Sequence, residues 1–170
     1  VVDTPMACNG HEALCDRPFN EVVLAGTHNS MSSEEESFIA PNHNWGIARQ
    51  LDDGVRAMLI DIHKDDDGVA LCHTLCTIGR LDAVEELTVI ADFLQANPHE
   101  VMAFIFQDEV SMEDSVSVLQ ASGLAALALT PPASGDPWPT LAEMIAADTR
   151  VVLTHESGGT GPAWFPAAWD

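Results

Sequence analysis

Five short apolar runs, separated by polar turns and amphipathic segments, constrain the fold of this chain more than any other feature. Each run is short enough to be a strand, and the predicted strands span 21–26, 56–63, 69–73, 101–106 and 151–154. Strands that alternate with helices are typical of α/β folds built on a parallel sheet. We therefore expect about five parallel strands with flanking helices.

Helices are predicted between these strands wherever apolar residues recur at helical spacing. The clearest helix begins after Asp82, a suitable N-cap, and ends before Asn97 and Pro98. Further helices are predicted over 45–51, 112–121 and 140–147, the last with Thr140 as its cap. The chain has no repeat and no interdomain linker, so residues 1–170 are predicted to form a single domain.

Polar side chains follow each of the five predicted strands at its carboxyl end. In chain order they are Thr27, His28, Asn29, Asp61, His63, His73, Gln107, Asp108, Glu109, His155 and Glu156. In parallel α/β architectures the carboxyl ends of the strands lie at one edge of the sheet, and active sites are built there. The repeated pattern predicts a functional site at that edge.

Three motifs, in order along the chain, are similar to those of a known enzyme family. The first is Gly26-Thr27-His28-Asn29-Ser30, directly after the first strand. The second runs from Gln50 through Gly54-Val55-Arg56 to Ile60-Asp61-Ile62-His63, and the third is Leu71-Cys72-His73-Thr74-Leu75. Over residues 21–110, their order and spacing resemble those of phosphatidylinositol-specific phospholipases C.

The resemblance implies a TIM-type (β/α) barrel, an architecture that runs to about 250 residues. Five strands are too few to close such a barrel, and an open sheet would leave exposed edges. We therefore expect an incomplete barrel: either the chain is truncated at its C-terminus, or a partner chain completes the sheet.

The resemblance also implies a phosphodiesterase that acts on a phospholipid or a small phosphodiester, and it implies roles for three residues. His28 would be the general base and His73 the general acid, while Asp61 would orient an imidazole or bind a cation. Cleavage of a phosphodiester needs a base for the attacking oxygen and an acid for the leaving oxygen. Histidine suits both roles because its pKa lies near neutrality.

The group that stabilises charge on the phosphate differs from the family pattern. His63 stands where some relatives have arginine and others an acid, and Gln107 stands at a position that is basic or Glu in relatives. Protonated His63 is one candidate for this role. Arg56 is also a candidate, although its place at the beginning of a strand favours a structural ion pair.

A divalent metal is the alternative stabiliser. Its predicted ligands are Asn29 and Asp61 together with Asp108 or Glu109, because such oxygen ligands suit hard cations. The cofactor prediction is therefore either none or Ca²⁺, with Mg²⁺ the less favoured ion.

The charge balance limits the partners. Acidic residues outnumber basic ones by 27 to six, giving a formal net charge of −21, so no nucleic-acid partner is expected. Peripheral contact with a membrane through aromatic side chains is a further prediction, for which internal packing is the alternative use. The aromatic candidates are Trp138, Trp164, Phe165 and Trp169.

Four cysteines form two close pairs, which favours the disulfides Cys8–Cys15 and Cys72–Cys76. A zinc site completed by His11 or His73 is the alternative, although the spacing matches no standard zinc pattern. No leader is visible in the first residues, so the chain is either cytosolic or a mature chain after cleavage. Disulfides favour the second possibility and a secreted or periplasmic protein.

Two other functions stay open. One is a metal-dependent glycerophosphodiesterase or phospholipase D-like enzyme on the same barrel, although Asp61-Ile62-His63 lacks the Glu-x-Asp pair of such enzymes. The other is a secreted binding protein that has kept the fold without the chemistry.

Overall fold

The computed structural model describes residues 7–156 and 159–169. Within these ranges the strands are β1 (Gly26–His28), β2 (Ala57–Asp65), β3 (Gly68–Leu71), β4 (Leu81–Asp82), β5 (Met102–Asp108) and β6 (Val151–His155). The α-helices are α1 (Ile47–Asp52), α2 (Ala83–Ala96), α3 (Met112–Ala121) and α4 (Leu141–Ala146). Short 3-10 helices lie at Glu12–Leu14, Phe19–Glu21, Cys76–Ile78 and Leu124–Leu127.

The centre of the sheet is parallel. β2 pairs with β1 on one side and with β5 on the other, and β5 pairs with β6. Asp61 lies opposite Gln107, and Phe106 lies opposite His155. The carboxyl ends of β1, β2, β5 and β6 therefore lie at one edge, as the sequence predicts.

The direction of β3 contradicts the prediction of an all-parallel sheet. β3 runs antiparallel to β2, with Ile62 opposite Leu71, and β4 runs antiparallel to β3. Only Asp66 and Asp67 separate β2 from β3, whereas a parallel connection needs a dozen or more residues. Gly68, at φ +118°, begins the returning strand after this tight turn. The sheet is therefore mixed, with four parallel strands rather than five.

The first strand lies later in the chain than predicted. Residues 21–26 were expected to form it, but β1 begins at Gly26, and Val23 is 97% exposed. The apolar run of residues 22–25 leads into the strand instead of lying inside the sheet. Its main contact with β2 is made by the carbonyl of Ala25, which accepts hydrogen bonds from the amides of Arg56 and Ala57.

Helices α1, α2 and α3 pack against one face of the central strands. Met58, Ile60 and Ile62 of β2 belong to the same buried cluster as residues of α1, α2 and α3. Because side chains alternate along a strand, Leu59 and Asp61 project from the opposite face. At its carboxyl edge that second face lines the site described below, and nearer its amino end Val152 of β6 packs in one cluster with Leu141 and Met144 of α4.

Two predicted helix caps are present. The Asp82 carboxylate accepts hydrogen bonds from the amides of Val84 and Glu85 at the beginning of α2. Thr140 forms a reciprocal capping box with Glu143 at the beginning of α4. A local side-chain hydrogen bond thus marks the beginning of each of these two helices.

The sheet does not close into a barrel within the described residues. The outer edge of β6 is partly covered, because the amide of Leu129 donates to the carbonyl of Val151 and the amide of His155 donates to the carbonyl of Pro166. The architecture is therefore that of an open α/β sheet, in line with the predicted incomplete barrel.

Both predicted disulfides, Cys8–Cys15 and Cys72–Cys76, are present, and none of the cysteines is free to bind zinc. The aromatic candidates for membrane contact are mostly packed inside. Phe165 is fully buried beside Phe106, and Trp138 stacks on Phe19, so only Trp169, 73% exposed, projects from the surface. Among the described residues, no helix has both the length and the apolar character of a membrane span.

Candidate active site

The loop that leaves β1 is held in place by the buried side chain of Gln50. Its Nε2 donates hydrogen bonds to the carbonyls of Ser30 (2.8 Å) and Trp45 (2.9 Å). Its Oε1 accepts a hydrogen bond from the hydroxyl of Thr27 (2.8 Å). Gln50 therefore fixes the backbone on both sides of His28 and Asn29. Gln50 belongs to the second sequence motif, but the sequence alone did not predict this structural role.

His28 lies at the end of β1 with an exposed side chain. Nε2 of His43 donates a 2.8 Å hydrogen bond to the backbone carbonyl of His28. This bond ties the loop that follows β1 to the end of the strand. No sequence motif points to this role of His43, because its partner is a backbone atom.

His73 reaches the same edge because the β2–β3 hairpin folds back. The pairing of Leu71 with Ile62 brings the chain after β3 to the level of Asp61. There the Asn29 amide nitrogen, Nδ2, donates a 3.1 Å hydrogen bond to Nε2 of His73. The disulfide Cys72–Cys76 closes the loop that holds this histidine. The first and third sequence motifs therefore meet directly.

Asp61 is the buried carboxylate of the site, with 3% of its surface exposed. It lines a cavity together with His28, Leu59, Ile60, Ile105, Gln107 and Glu156. Burial raises the pKa of Asp61, and the nearby imidazoles of His73, His63 and His28 oppose this rise. Within 7–156 and 159–169, no group donates a hydrogen bond to its carboxylate.

His63 follows Asp61 on the same face of β2 and contributes to the electrostatic environment of that carboxylate. Its Nε2 atom is buried and has no hydrogen-bond partner in the described part of the chain. The side chain lines a separate cavity beside the β2–β3 hairpin and is not among the residues that line the cavity of Asp61. A role for His63 in stabilising charge stays a prediction.

Gln107 and Glu156 complete the cavity wall. Gln107 lies beside Asp61 in the register of β2 and β5, and both project from the same face of the sheet. Glu156 follows the buried His155, which contacts the Phe165 ring at 5.0 Å between centroids. Glu156 therefore projects to the cavity side, where its charge raises the pKa of Asp61 further. The sequence marked Glu156 as a strand-end residue without assigning it a role, because the alternation along β6 was not known.

Arg56 does not belong to the site. It lies at the amino end of β2, where its Nε bonds Glu100 at 2.7 Å and its guanidinium stacks on Phe93. The carbonyls of Leu51 and Val55 accept two further hydrogen bonds from it. These contacts remove Arg56 from the charge-stabilising candidates and support its alternative, structural role.

The predicted metal ligands are not gathered at one point. Asp108 follows Gln107 along β5 and therefore projects from the face opposite to that of Asp61, while Glu109 is exposed beyond the strand. No three His, Cys, Asp or Glu side chains of the described ranges are grouped closely enough to hold a metal ion. Asn29 uses its amide nitrogen for His73. Metal binding stays a prediction, and the positions of the four predicted ligands do not form one common site.

The arrangement can support acid–base chemistry. The imidazole of His28, the carboxylate of Asp61 and the carboxamide of Gln107 line one open cavity at the carboxyl edge. The second motif imidazole, His73, lies near enough to Asp61 to interact with its charge. No lysine or arginine is among the residues that line this cavity. Any positive charge at its wall must therefore come from a histidine or from a bound cation.

The comparisons with known proteins cover this whole region. The family model described as PI-PLC X 1 matches residues 14–159. The PI-PLC X domain-containing protein 1 of Arthroderma benhamiae is 31% identical over 164 residues, which cover 89% of the chain. An uncharacterized secreted protein of the same organism is 30% identical over 152 residues, which cover 86% of it.

A solved structure agrees with the fold. The crystal structure of L. pealei PLC21 matches 94% of the chain with a TM-score of 0.63 and 16% sequence identity, a likeness that bears on the fold alone. The chain spans 52% and 34% of the two Arthroderma benhamiae proteins and 21% of the L. pealei chain. The matched proteins are therefore much longer than the region they share with this chain.

Proposed function

Since the chain belongs to the PI-PLC X domain family, we propose that it is a phospholipase C-like phosphodiesterase that cleaves a phosphatidylinositol-type or related phosphodiester. The observation that carries the proposal is the convergence of the two motif histidines. His28 lines the cavity of Asp61, and His73 is bonded to Asn29, the residue after His28. An ordinary structural role for both histidines gives no reason for this convergence.

In the proposed reaction, His28 removes the proton from the attacking oxygen, which belongs either to water or to a hydroxyl of the head group. A new P–O bond forms as the bond from phosphorus to the leaving oxygen breaks. His73 gives its proton to that leaving oxygen, so that the alcohol departs neutral. Reprotonation of His73 and deprotonation of His28 by solvent restore the resting state.

Asp61 has an electrostatic role in this proposal. The Asp61 carboxylate lies close to the imidazoles of His73, His63 and His28, so its negative charge offsets the positive charge that His28 gains when it acts as the base. His63 supplies the positive charge that offsets the developing charge on the phosphate oxygens, and its closeness to Asp61, two residues earlier on the same face of β2, supports this assignment. A metal is not required in this scheme, and calcium is the alternative that a chelator distinguishes.

The proposal includes an extracellular setting and contact with a lipid surface. Two disulfides and a relative named as secreted are consistent with an extracellular location. Ile39 and Leu75, which are 65% and 57% exposed, lie on the two loops that follow β1 and β3. The amide of Ile39 donates to the carbonyl of Ile78 over 2.7 Å, so the two loops lie side by side.

The experiment measures hydrolysis of phosphatidylinositol and of an aryl phosphodiester by the wild type, by His28→Ala and by His99→Ala. His99 is an exposed histidine outside the site, so its variant is the matched control. The proposal expects a loss of about 100-fold or more in His28→Ala and wild-type rates in His99→Ala. Parallel reactions with Ca²⁺, with Mg²⁺ and with a chelator decide whether His63 or a metal ion stabilises the charge on the phosphate.

Absence of turnover in folded wild-type protein with either substrate and any ion contradicts the proposal and favours a binding protein on the same fold. Turnover only of glycerophosphodiesters, with strict metal dependence, favours the glycerophosphodiesterase alternative.

A further inference from the structure

The loops that carry Asn29 and His73 also touch where Phe38 packs against Gly79. Phe38 lies in the loop after β1, and Gly79 lies in the segment between β3 and β4. A Cβ atom added at Gly79 would overlap Cγ and Cδ1 of the Phe38 ring and would lie 2.7 Å from its Cε1. Any side chain at position 79 would therefore displace the ring.

The Phe38 ring, and not the backbone of Gly79, excludes a side chain at this position. Gly79 has a φ of 160° and a ψ of 130°, which lie outside the left-handed region that favours glycine. The three atoms nearest to an added Cβ all belong to Phe38. Removal of the ring should therefore make alanine acceptable at position 79.

Phe38 is directed inward although the residues beside it are exposed. It is 6% exposed and belongs to the main buried cluster, whereas Ile39 is 65% exposed. Ser37 and Ala40, which flank these two residues, have φ angles of +62° and +55°. Such angles are uncommon for residues other than glycine and persist where the surrounding structure enforces them. The loop is therefore bent on both sides of the residue whose ring meets Gly79.

Backbone hydrogen bonds connect Phe38 with Asn29. The amide of Phe38 donates to the carbonyl of Ser33 over 3.1 Å. The amide of Ser32, the residue before, donates to the carbonyl of Asn29 over 2.9 Å. A displacement of Phe38 would therefore be passed to Asn29 through two tight turns.

A similar path connects Gly79 with His73. The amide of Ile78, next to Gly79, donates to the carbonyl of Leu75 over 3.1 Å. The amide of Leu75 donates in turn to the carbonyl of His73 over 2.7 Å. The disulfide Cys72–Cys76 closes the same segment, so it is held as one unit from the histidine to the glycine.

We infer that Phe38 and Gly79 are positioning residues for His73: the ring packed on glycine sets the separation of the two loops at which Asn29 reaches Nε2 of His73. A larger residue at position 79 would push the loops apart and break this 3.1 Å hydrogen bond. The expected effect on the rate rests on the proposed function, because it requires His73 to be the acid.

The first measurement reads the bond between Asn29 and His73 and needs no turnover. Because Nε2 of His73 accepts this bond, neutral His73 should carry its proton on Nδ1, which the ring ¹⁵N chemical shifts report. We expect Gly79→Ala to lose this preference and Gly159→Ala to keep it. Gly159 is the matched control, because the nearest atom to its added Cβ is Cε of Met112 at an ordinary 3.7 Å.

The second measurement compares kcat on an alkyl and a p-nitrophenyl phosphodiester with the same head group. The alkoxide needs an acid to leave, whereas p-nitrophenolate does not. Gly79→Ala should lower kcat about tenfold on the alkyl ester and less than about twofold on the p-nitrophenyl ester, with little change in KM. In a Phe38→Ala background the same substitution should lower kcat on either ester less than about twofold, because no ring is left to displace.

Phe38→Leu gives the same two readings if Gly79→Ala does not fold, because leucine keeps an apolar side chain in the core without the ring. It should show a smaller loss of the same kind, confined to the alkyl ester and accompanied by loss of the Nδ1–H tautomer of His73. Equal losses on both esters, or a wild-type tautomer, in this variant would contradict the inference.

The outcomes for Gly79→Ala are equally distinct. A wild-type tautomer of His73, equal losses on the two esters, or a loss that persists in full without the Phe38 ring overturns the positioning role. Absence of turnover by folded wild-type protein contradicts the proposed function, while the tautomer of His73 still tests the positioning. Loss of the Nδ1–H tautomer together with a loss of rate on the alkyl ester alone supports the inference.

Discussion

The side-chain amide of Asn29 donates a hydrogen bond from Nδ2 to Nε2 of His73 over 3.1 Å, across 44 positions of sequence. Because Nε2 accepts this bond, a neutral His73 carries its proton on Nδ1. In the imidazolium both ring nitrogens are donors, so the amide of Asn29 must then turn its oxygen toward Nε2. Asn29 can therefore bond either protonation state of His73, as the proposed role of His73 as general acid requires.

Replacement of Asn29 by Asp should favour the protonated form of His73, because a carboxylate only accepts hydrogen bonds and carries negative charge. The alkaline limb of the pH profile of kcat/KM should move upward by about one unit. Asn44→Asp adds the same charge at an exposed loop position and is the matched control. An alkaline limb that does not move, or that moves equally in Asn44→Asp, contradicts the pairing of Asn29 with His73.

Asp61→Asn should abolish most activity and yet stabilise the folded protein at neutral pH. Burial raises the pKa of Asp61 above its ordinary value of 3.8, so the folded state holds the proton more tightly than the unfolded state. The free energy of unfolding therefore falls as pH rises from about 3.8 through the raised pKa. The amide of Asp61→Asn does not titrate, so the variant does not lose this part of its stability.

Urea unfolding of wild type and Asp61→Asn between pH 4 and pH 8 measures this effect, with Asp66→Asn in the exposed turn as control. The two stability curves should diverge as pH rises. Destabilisation by Asp61→Asn at pH 7 would mean that the carboxylate is a structural partner and not a strained group of the site.

His43 should act as a positioning residue for His28. Loss of its hydrogen bond to the His28 carbonyl in His43→Ala should lower kcat about five- to tenfold with little change in KM. His43→Gln, whose side-chain amide can donate to the same carbonyl, should restore most of the rate. A KM effect alone, or no rescue by glutamine, contradicts this role. His99→Ala serves again as the histidine control.

Ile39→Ser and Leu75→Ser should each weaken binding to neutral phosphatidylcholine vesicles about tenfold, because each removes an apolar side chain that inserts at the lipid surface. Turnover of a water-soluble phosphodiester should not change. Val23→Ser is the matched control, because Val23 is 97% exposed but precedes β1 at the other end of that strand. Equal losses of vesicle binding in all three variants would mean that any exposed apolar side chain contributes, and would contradict a specific role for Ile39 and Leu75.

Local signals in the sequence predicted much of the fold and part of the site. Asp82 and Thr140 mark helix starts by hydrogen bonds within one turn, which the sequence displays directly. His28, Asp61 and His73 were identified from motifs whose order follows the strands. The direction of β3 was missed although Asp66-Asp67-Gly68 is a hairpin-type turn, because the alternation of strands and helices elsewhere favoured a parallel connection.

The remaining errors of prediction concern the face of the sheet from which a side chain projects. Asp61 and Asp108 were grouped as metal ligands because both follow apolar runs, but the register of β2 and β5 aligns Asp61 with Gln107 instead. Glu156 was placed at the carboxyl edge but given no role for the same reason, since one residue of shift along β6 moves a side chain to the other face. Register depends on pairing between distant segments, so no local pattern reveals it.

The central claim is that His28 is the base and His73 the acid, and the dependence on the leaving group tests it most directly. The measurement compares kcat/KM of wild type, His28→Ala and His73→Ala on two phosphodiesters with one head group, one with a p-nitrophenolate leaving group and one with an alkoxide. An alkoxide must be protonated as it leaves, whereas p-nitrophenolate leaves without an acid.

His73→Ala should therefore lose about 100-fold or more on the alkyl substrate and less than about tenfold on the p-nitrophenyl substrate, while His28→Ala should lose about equally on both. Equal losses on the two substrates in His73→Ala would contradict the assignment of His73 as the acid.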